Sequence, residues 1–225
     1  MRALITGGAG FIGSHLADHL IANGDEVIAL DNLSTGRHGN IEHLIGRPDF
    51  EFVLGSILNA DLVDDCVSRA DVVFHLAAAV GVELNVRKPV ESLRTNIVGS
   101  ETGIEKAHKY GKPVLVTSTS EIYGKNTSDS LSEDDDRILG SPLKSRWAYS
   151  EAKAIEEILA YTYFREKGLP TVIVRLFNTV GPRQVGHYGM VVPRFVNQAL
   201  RGQALTVFGD GAQTRCFVDV GDVVP

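Results

Sequence analysis

The segment YSEAK places Tyr149 and Lys153 four residues apart, a spacing that brings both side chains to one face of a helix. A tyrosine hydroxyl, with a pKa near 10, is a poor base at neutral pH. Bringing it to about 7 takes roughly 4 kcal/mol of preferential phenolate stabilisation. A lysine ammonium in a shielded site supplies charge of the right sign, and the phenolate can then take a proton from a hydroxyl. YxxxK is also frequent by chance, so the pair needs a setting. A second stretch, TSTSEIYG at 117–124, sets Ser118, Thr119, Ser120 and Glu121 just after the apolar run PVLV. Such side chains either relay a proton or simply end a strand in solvent.

The third stretch is TGGAGFIG. Gly7, Gly10 and Gly13 have the spacing TGxxGxxG, and Gly8, Gly10 and Gly13 satisfy GxGxxG. The loop lies between an apolar run and a helical pattern. There one glycine permits a tight turn, one lets backbone approach a pyrophosphate, and one lets helix pack on strand. The helix start offers free N–H groups and a partial positive charge to that anion. Asp31 follows Gly13 by 18 residues, at the end of the next apolar run. An acid there accepts hydrogen bonds from a ribose diol and repels a 2′-phosphate, which predicts NAD rather than NADP; Arg37 is near enough to reach a phosphate. His15 and His19 have a zinc-compatible spacing but no third ligand, and no metal site is expected.

These residues need a frame. RALIT, EVIAL, FEFVLG, DVVFHLAA, PVLVTS and PTVIVRLF read as strands apolar on both faces. Helical patterns separate most of them, including FIGSHLADHLIAN, NADLVDDCVSRA with Asn59 as its cap, and two long segments at 89–110 and 147–167. The alternation predicts an α/β protein with a Rossmann-like, doubly wound parallel sheet covered on both faces. Residues 1–176 read as a dinucleotide-binding domain. After Phe177 the pattern changes: a Gly- and Pro-rich loop, a helix in MVVPRFVNQALRG, a short strand in ALTVFG, then RCFVDVGDVVP. Residues 177–225 read as a small, partial substrate-binding region. SDSLSEDDDR reads as a solvated loop.

The net charge of −6 argues against a nucleic-acid-binding surface. The longest apolar run, at 72–82, contains His75 and is too short to span a bilayer. Two isolated cysteines, Cys66 and Cys216, and a strand starting almost at Met1 suggest a cytoplasmic protein without a signal peptide.

The order of glycine loop, acid, hydroxyl stretch and YxxxK resembles the extended short-chain dehydrogenase/reductases, within the nucleotide-sugar epimerase, dehydratase and decarboxylase group. TGGAGFIGSHL, DNLSTG, HLAA, Asn96, STSEIYG, YSEAK, RLFNTVGPRQ and GDGAQTRCF carry the resemblance along nearly the whole chain. It implies that Tyr149 removes a proton from a sugar hydroxyl while hydride passes from C4 to NAD. Lys153 would also hold the nicotinamide ribose, and Asn96 would support the site through a helix irregularity and a water. Phe11, Ile12, Asn32, Ser34, Gly36, Ser56, Ile57, Leu76, Ala77 and Ala78 would complete the NAD site. Ser118 or Thr119 would bind the reacting hydroxyl, and Asn178 and Arg215 would grip the nucleotide diphosphate.

Within the group, dehydratases hold an Asp-Glu pair where this chain has Ser120 and Glu121, so 4,6-dehydration is disfavoured. STSE looks most like the glucuronate decarboxylases. A UDP-sugar 4-epimerase is the alternative, and a non-catalytic NAD-binding sensor the rival of another class. The resemblance further implies a homodimer through an intersubunit four-helix bundle of the two long helices. Leu93, Ile97, Ile104, Ile155, Ile158 and Leu159 lie at helical spacing there. The chain departs from the group in three places. Ser56 stands where an Asp often reaches adenine, VDVGD replaces HVDD, and the chain stops at Pro225, short of the usual further substrate segment.

Overall fold

The computed structural model describes all residues of the chain except 80–87, 129 and 187–189. Six strands form one parallel sheet: β1 (Arg2–Thr6), β2 (Glu26–Asp31), β3 (Phe50–Leu54), β4 (Val72–His75), β5 (Val114–Thr119) and β6 (Thr171–Leu176). Their order is β3-β2-β1-β4-β5-β6. The chain winds outward from β1 in one direction and then returns to continue from β4 in the other. That reversal between β1 and β4 leaves a crevice at the carboxyl ends of the strands, where ligands bind in open α/β sheets. The register of Thr6 beside His75 brings the glycine loop next to the end of β4.

Among the described residues four α-helices connect the strands: α1 (Phe11–Ala22), α2 (Ala60–Ser68), α3 (Pro89–Lys109) and α4 (Ala148–Lys167). The Asn59 side chain accepts from the Leu62 N–H and caps α2. Gly168, in the left-handed region, closes α4. Alternation along the strands divides the core. Leu4, Ile28, Leu30, Val114 and Val116 pack with α2, α3 and α4 on one face. Ala3, Ile5, Val27 and Ala29 pack with Leu16, Ala17, Leu20 and Ile21 of α1 on the other. Both faces of the central strands are therefore covered.

Beyond the sheet, β7 (Thr179–Val180) pairs in parallel with β8 (Val218–Asp219). Two helices also lie there, α5 (Val191–Leu200) and α6 (Val220–Val223). The strand expected in ALTVFG does not form. Its backbone is drawn instead to a helix side chain: Gln198 of α5 accepts from the Thr206 N–H and donates to the Thr206 hydroxyl. β7 lies inside a segment read from sequence as loop, because β8 supplies the partner.

Candidate active site

The glycine loop is held against the sheet. The Gly7 N–H donates to the Leu30 carbonyl at 2.8 Å. Gly7 has φ +75°, and a Cβ there would stand 2.9 Å from the Ala77 nitrogen, so only glycine fits the turn. A Cβ on Gly13 would collide with the Gly7 carbonyl oxygen. Helix α1 begins at Gly10 with no side-chain cap and no acid in its first turn. Its leading N–H groups, from Phe11, Ile12 and Gly13, are thus left to an anion.

Asp31 ends β2 beside this loop. Its carboxylate accepts from the Ala9 N–H at 3.0 Å and the Leu33 N–H at 2.7 Å. Burial pushes its pKa up, and these two bonds oppose the rise. Each oxygen keeps acceptor capacity for a diol. Gly36 packs so closely that a Cβ would lie 2.8 Å from the Asp31 carboxylate. Asn32 accepts from the Ser34 N–H and shapes the same turn. An uncapped helix start beside a buried acid, with glycines at the close approaches, fits a dinucleotide.

The site continues along β4 and β5. The Ala77 N–H donates to the Thr6 hydroxyl at 3.2 Å, and Leu76 packs on the core; Ala78 follows, half-buried. Asn96 does not act through a helix irregularity, because α3 runs unbroken past it. Its side chain clamps the Ala79 backbone instead, accepting at 2.6 Å and donating at 3.2 Å. Ser56 accepts from the Leu58 N–H, and Ile57 is buried against Gly99 of α3.

At the end of β5 the chain turns into a short 3-10 helix at Ser120–Tyr123. Thr119 accepts from the Glu121 N–H at 3.2 Å and is half-buried, as is Ser120. Ser118, expected as one of two substrate-facing hydroxyls, points the other way. It is 4% exposed, on the same inward face as Val114 and Val116. Its hydroxyl approaches Glu157 without good hydrogen-bond geometry. Strand alternation explains the placement and leaves Thr119 as the accessible hydroxyl.

Helix α4 brings Tyr149 and Lys153 to this point. The Ser150 hydroxyl donates to the Glu121 carbonyl at 2.8 Å and ties the helix to the 3-10 turn. Lys153 is buried and donates to the Thr117 carbonyl at 2.7 Å and to Glu156 at 2.8 Å. The Tyr149 hydroxyl is not lowered. Burial pushes its pKa up; Lys153 opposes this, and Glu156 and then Glu121 add to the rise. Burial is the larger cause, and the ammonium that opposes it is already paired with a carboxylate.

Glu121 is exposed and faces Arg146 at 3.6 Å. Glu157, beside Glu156, makes a two-pronged pair with Arg175 at 2.9 and 2.7 Å. Asn178 donates to the Cys216 carbonyl, which draws the 209–217 segment close. Arg215 is exposed and donates to the neighbouring Thr214 carbonyl. His15 and His19 make local bonds to the Phe11 carbonyl and Asn23. Sequence reading missed Thr6, His75, Ser100 and Glu156. For Glu156 a signal existed: it lies three residues after Lys153, a spacing at which helix side chains meet.

A bacterial relative, the UDP-N-acetyl-alpha-D-glucosaminuronate decarboxylase of Bacillus cytotoxicus, is 46% identical over 224 residues, 99% of this chain and 68% of its own length. UDP-glucuronic acid decarboxylase 1 of Danio rerio is 40% identical over 99% of this chain, which spans 52% of that protein. In three dimensions the chain superposes on UDP-glucuronic acid 4-epimerase from Bacillus cereus, solved with UDP-glucuronic acid and NAD. There the TM-score is 0.89 at 34% identity, covering 100% of this chain and 71% of that one. The family model that fits the glycine loop, the acid and the tyrosine–lysine helix together runs over residues 3–225. On that match this chain belongs to the NAD dependent epimerase/dehydratase family.

Proposed function

We propose that the protein oxidises a UDP-linked hexuronic acid at C4 and then releases its C5 carboxylate as carbon dioxide. The observation that carries this reading is the meeting of Thr119, Glu121 and the Tyr149–Lys153 pair at the carboxyl end of β5. The relatives named above act on UDP-linked hexuronic acids, two of them as decarboxylases. When bound, NAD would supply the hydride acceptor for C4 and, in reduced form, the hydride donor for the 4-keto sugar. In this reading the glycine loop, the α1 N-terminus and Asp31 hold the cofactor, with the Asn96-clamped ledge after β4 beside it.

Tyr149 takes the proton from the C4 hydroxyl, and Thr119 holds that hydroxyl in line. Lys153 favours the phenolate and steadies the ribose. A 4-keto sugar with a carboxylate on C5 is a β-keto acid. Its C5–carboxyl bond breaks, carbon dioxide leaves, and the electron pair passes into a C4–C5 enolate. A proton then adds at C5. Ser120 lines this turn. We assign the diphosphate to Asn178 and Arg215, and the Asn178–Cys216 bond that joins their segments supports this. We assign cofactor binding to residues 1–176 and sugar-nucleotide contacts to 177–225. Two separate thiols, one buried and one exposed, suit a reducing cytoplasm.

Glu121 tests the chemistry. Its charge beside the sugar carboxylate raises the energy of the keto acid, and loss of carbon dioxide relieves that repulsion. Glu121→Gln is expected to leave C4 oxidation near the original rate and to slow carbon dioxide release, so that a 4-keto acid accumulates in product mass spectra. Equal effects on both steps would remove Glu121 from the decarboxylation step. The second reading, 4-epimerisation, draws on the position of Glu121, exposed and paired with Arg146. In that case the hydride returns to the opposite face and the substitution changes little.

We also propose a homodimer. Along the outer faces of α3 and α4, Val98, Ile155, Ile158 and Tyr161 are exposed. Of the residues expected at the interface, Ile104 is buried in the core and Leu159 packs against it, so they serve the monomer. Ile155 and Ile158 remain available to a second copy. Light scattering at micromolar concentration should give twice the chain mass; a monomer mass would contradict the dimer.

A further inference from the structure

The Lys153 ammonium has three N–H donors. Two are committed, to the Thr117 carbonyl and to Glu156 Oε2. Lys153 is 1% exposed and Glu156 0%, so the pair is shielded from solvent. Glu156 Oε1 has no hydrogen-bond partner among the described residues. The nearby Ser100 hydroxyl cannot serve it, because it donates to the Asn96 carbonyl at 2.7 Å. Ser100 therefore accepts from His75 Nε2 at 3.0 Å, and His75 Nδ1 accepts from the Thr6 hydroxyl at 3.0 Å. Thr6 accepts in turn from the Ala77 N–H. This chain runs one way and uses a neutral His75. Burial, then the Lys153 charge, holds His75 down at about 3. The chain is closed without Glu156, and Lys153 is the cation paired with that carboxylate among the described residues.

We propose that Glu156 is a positioning residue: it fixes the Lys153 ammonium against Thr117 and, by cancelling part of its charge, sets the pH at which Tyr149 can serve as a base. The inference rests on the reading of Tyr149 as the base. The charged groups around the pair make Glu156 the decisive one. Tyr149 is faced by Lys153, Glu156 and Glu121; Lys153 by Glu156, Tyr149 and Glu157; Glu156 by Lys153 and Glu157. Glu157 is compensated by Arg175. Glu121 is exposed beside Arg146, where solvent weakens its field. Only Glu156 acts on the lysine from inside a dry site. One N–H of Lys153 remains for Tyr149 or a ribose hydroxyl.

Glu156→Gln keeps the shape and removes the charge. Lys153 then acts on Tyr149 undiminished, and the phenolate becomes its natural counter-ion. The Tyr149 titration should move down by about one unit, a roughly tenfold rise in phenolate fraction at a fixed pH below it. Ultraviolet difference titration reads this without a substrate: subtracting the same background carrying Tyr149→Phe isolates Tyr149. The acid limb of the pH–rate profile should move the same way. Glu156→Asp keeps the charge and should leave the Tyr149 curve in place. A Tyr149 curve unmoved or raised in Glu156→Gln overturns the proposal. If Glu156→Gln does not fold, Glu156→Met, which also removes the charge, decides by the same titration: a curve moved down supports the proposal, and one unmoved or raised overturns it. A Tyr149 curve that moves as stated, while Tyr149→Phe retains turnover, would instead refute the assignment of Tyr149 as base and leave the electrostatic coupling intact.

Discussion

Tyr149→Phe is expected to lose at least about a hundredfold in turnover, the usual contribution of a general base, while NAD binding stays near its original strength. The two effects separate because the structure separates their causes. In the proposed reading the cofactor cradle is the Gly7–Gly13 loop, the open start of α1 and Asp31, on β1 and β2. Tyr149 stands across the crevice on α4. Phenylalanine keeps the ring and removes only the hydroxyl that takes the proton. Steady-state rates with a UDP-hexuronic acid, together with direct titration of NAD, check both halves. A variant that turns over near the original rate would place the base elsewhere.

Lys153→Met is expected to have the largest effect on stability. Breaking a buried ion pair by removing one partner costs about 3–5 kcal/mol, because the other charge is left uncompensated. Here Glu156 would lose its ion-pair partner, and the Thr117 carbonyl would lose a donor. The pH dependence has a definite sign. Burial already pushes the Glu156 carboxyl up, and loss of Lys153 pushes it further. A carboxyl whose folded pKa lies above its unfolded value loses stability as pH rises through the carboxylate range. The deficit should therefore be larger at about pH 8 than at about pH 5. The double variant Lys153→Met with Glu156→Leu should recover most of it, since apolar residues can replace such a pair. Urea unfolding of the three proteins measures this. A single variant within about 1 kcal/mol of the parent at high pH would mean that the pair is not held as described.

The turn of the glycine loop and the acid at the end of β2 were legible because they depend on local chemistry. A glycine at positive φ and an acid at a strand end are read at fixed offsets from a strand and a helix. The helix start at Asn59 and the helix stop at Gly168 were legible for the same reason. Ser118 was misplaced although its cue was present: strand alternation puts it with Val114 and Val116, on the inward face. The strand in ALTVFG failed because a strand needs a partner, and Gln198 took the Thr206 backbone. Asn96 was identified as a site residue, but its contact with Ala79 joins elements 17 residues apart and has no local signal. Glu156 carried a spacing cue, three residues after Lys153, but its burial had none. In AIEEIL it looks like one of two surface acids, yet α4 turns one inward to Lys153 and the other toward Arg175. That division is set by tertiary packing and not by propensity.

The central claim is decided by the mass of the product. The purified protein is incubated with NAD and UDP-glucuronic acid, and in parallel with its N-acetylglucosaminuronic counterpart. The nucleotide-sugar is then analysed by mass spectrometry. The account predicts that at least one of the two acids is converted to a pentose nucleotide lighter by one carbon dioxide. A converted sugar of unchanged mass, inverted at C4, would contradict decarboxylation and establish the epimerase.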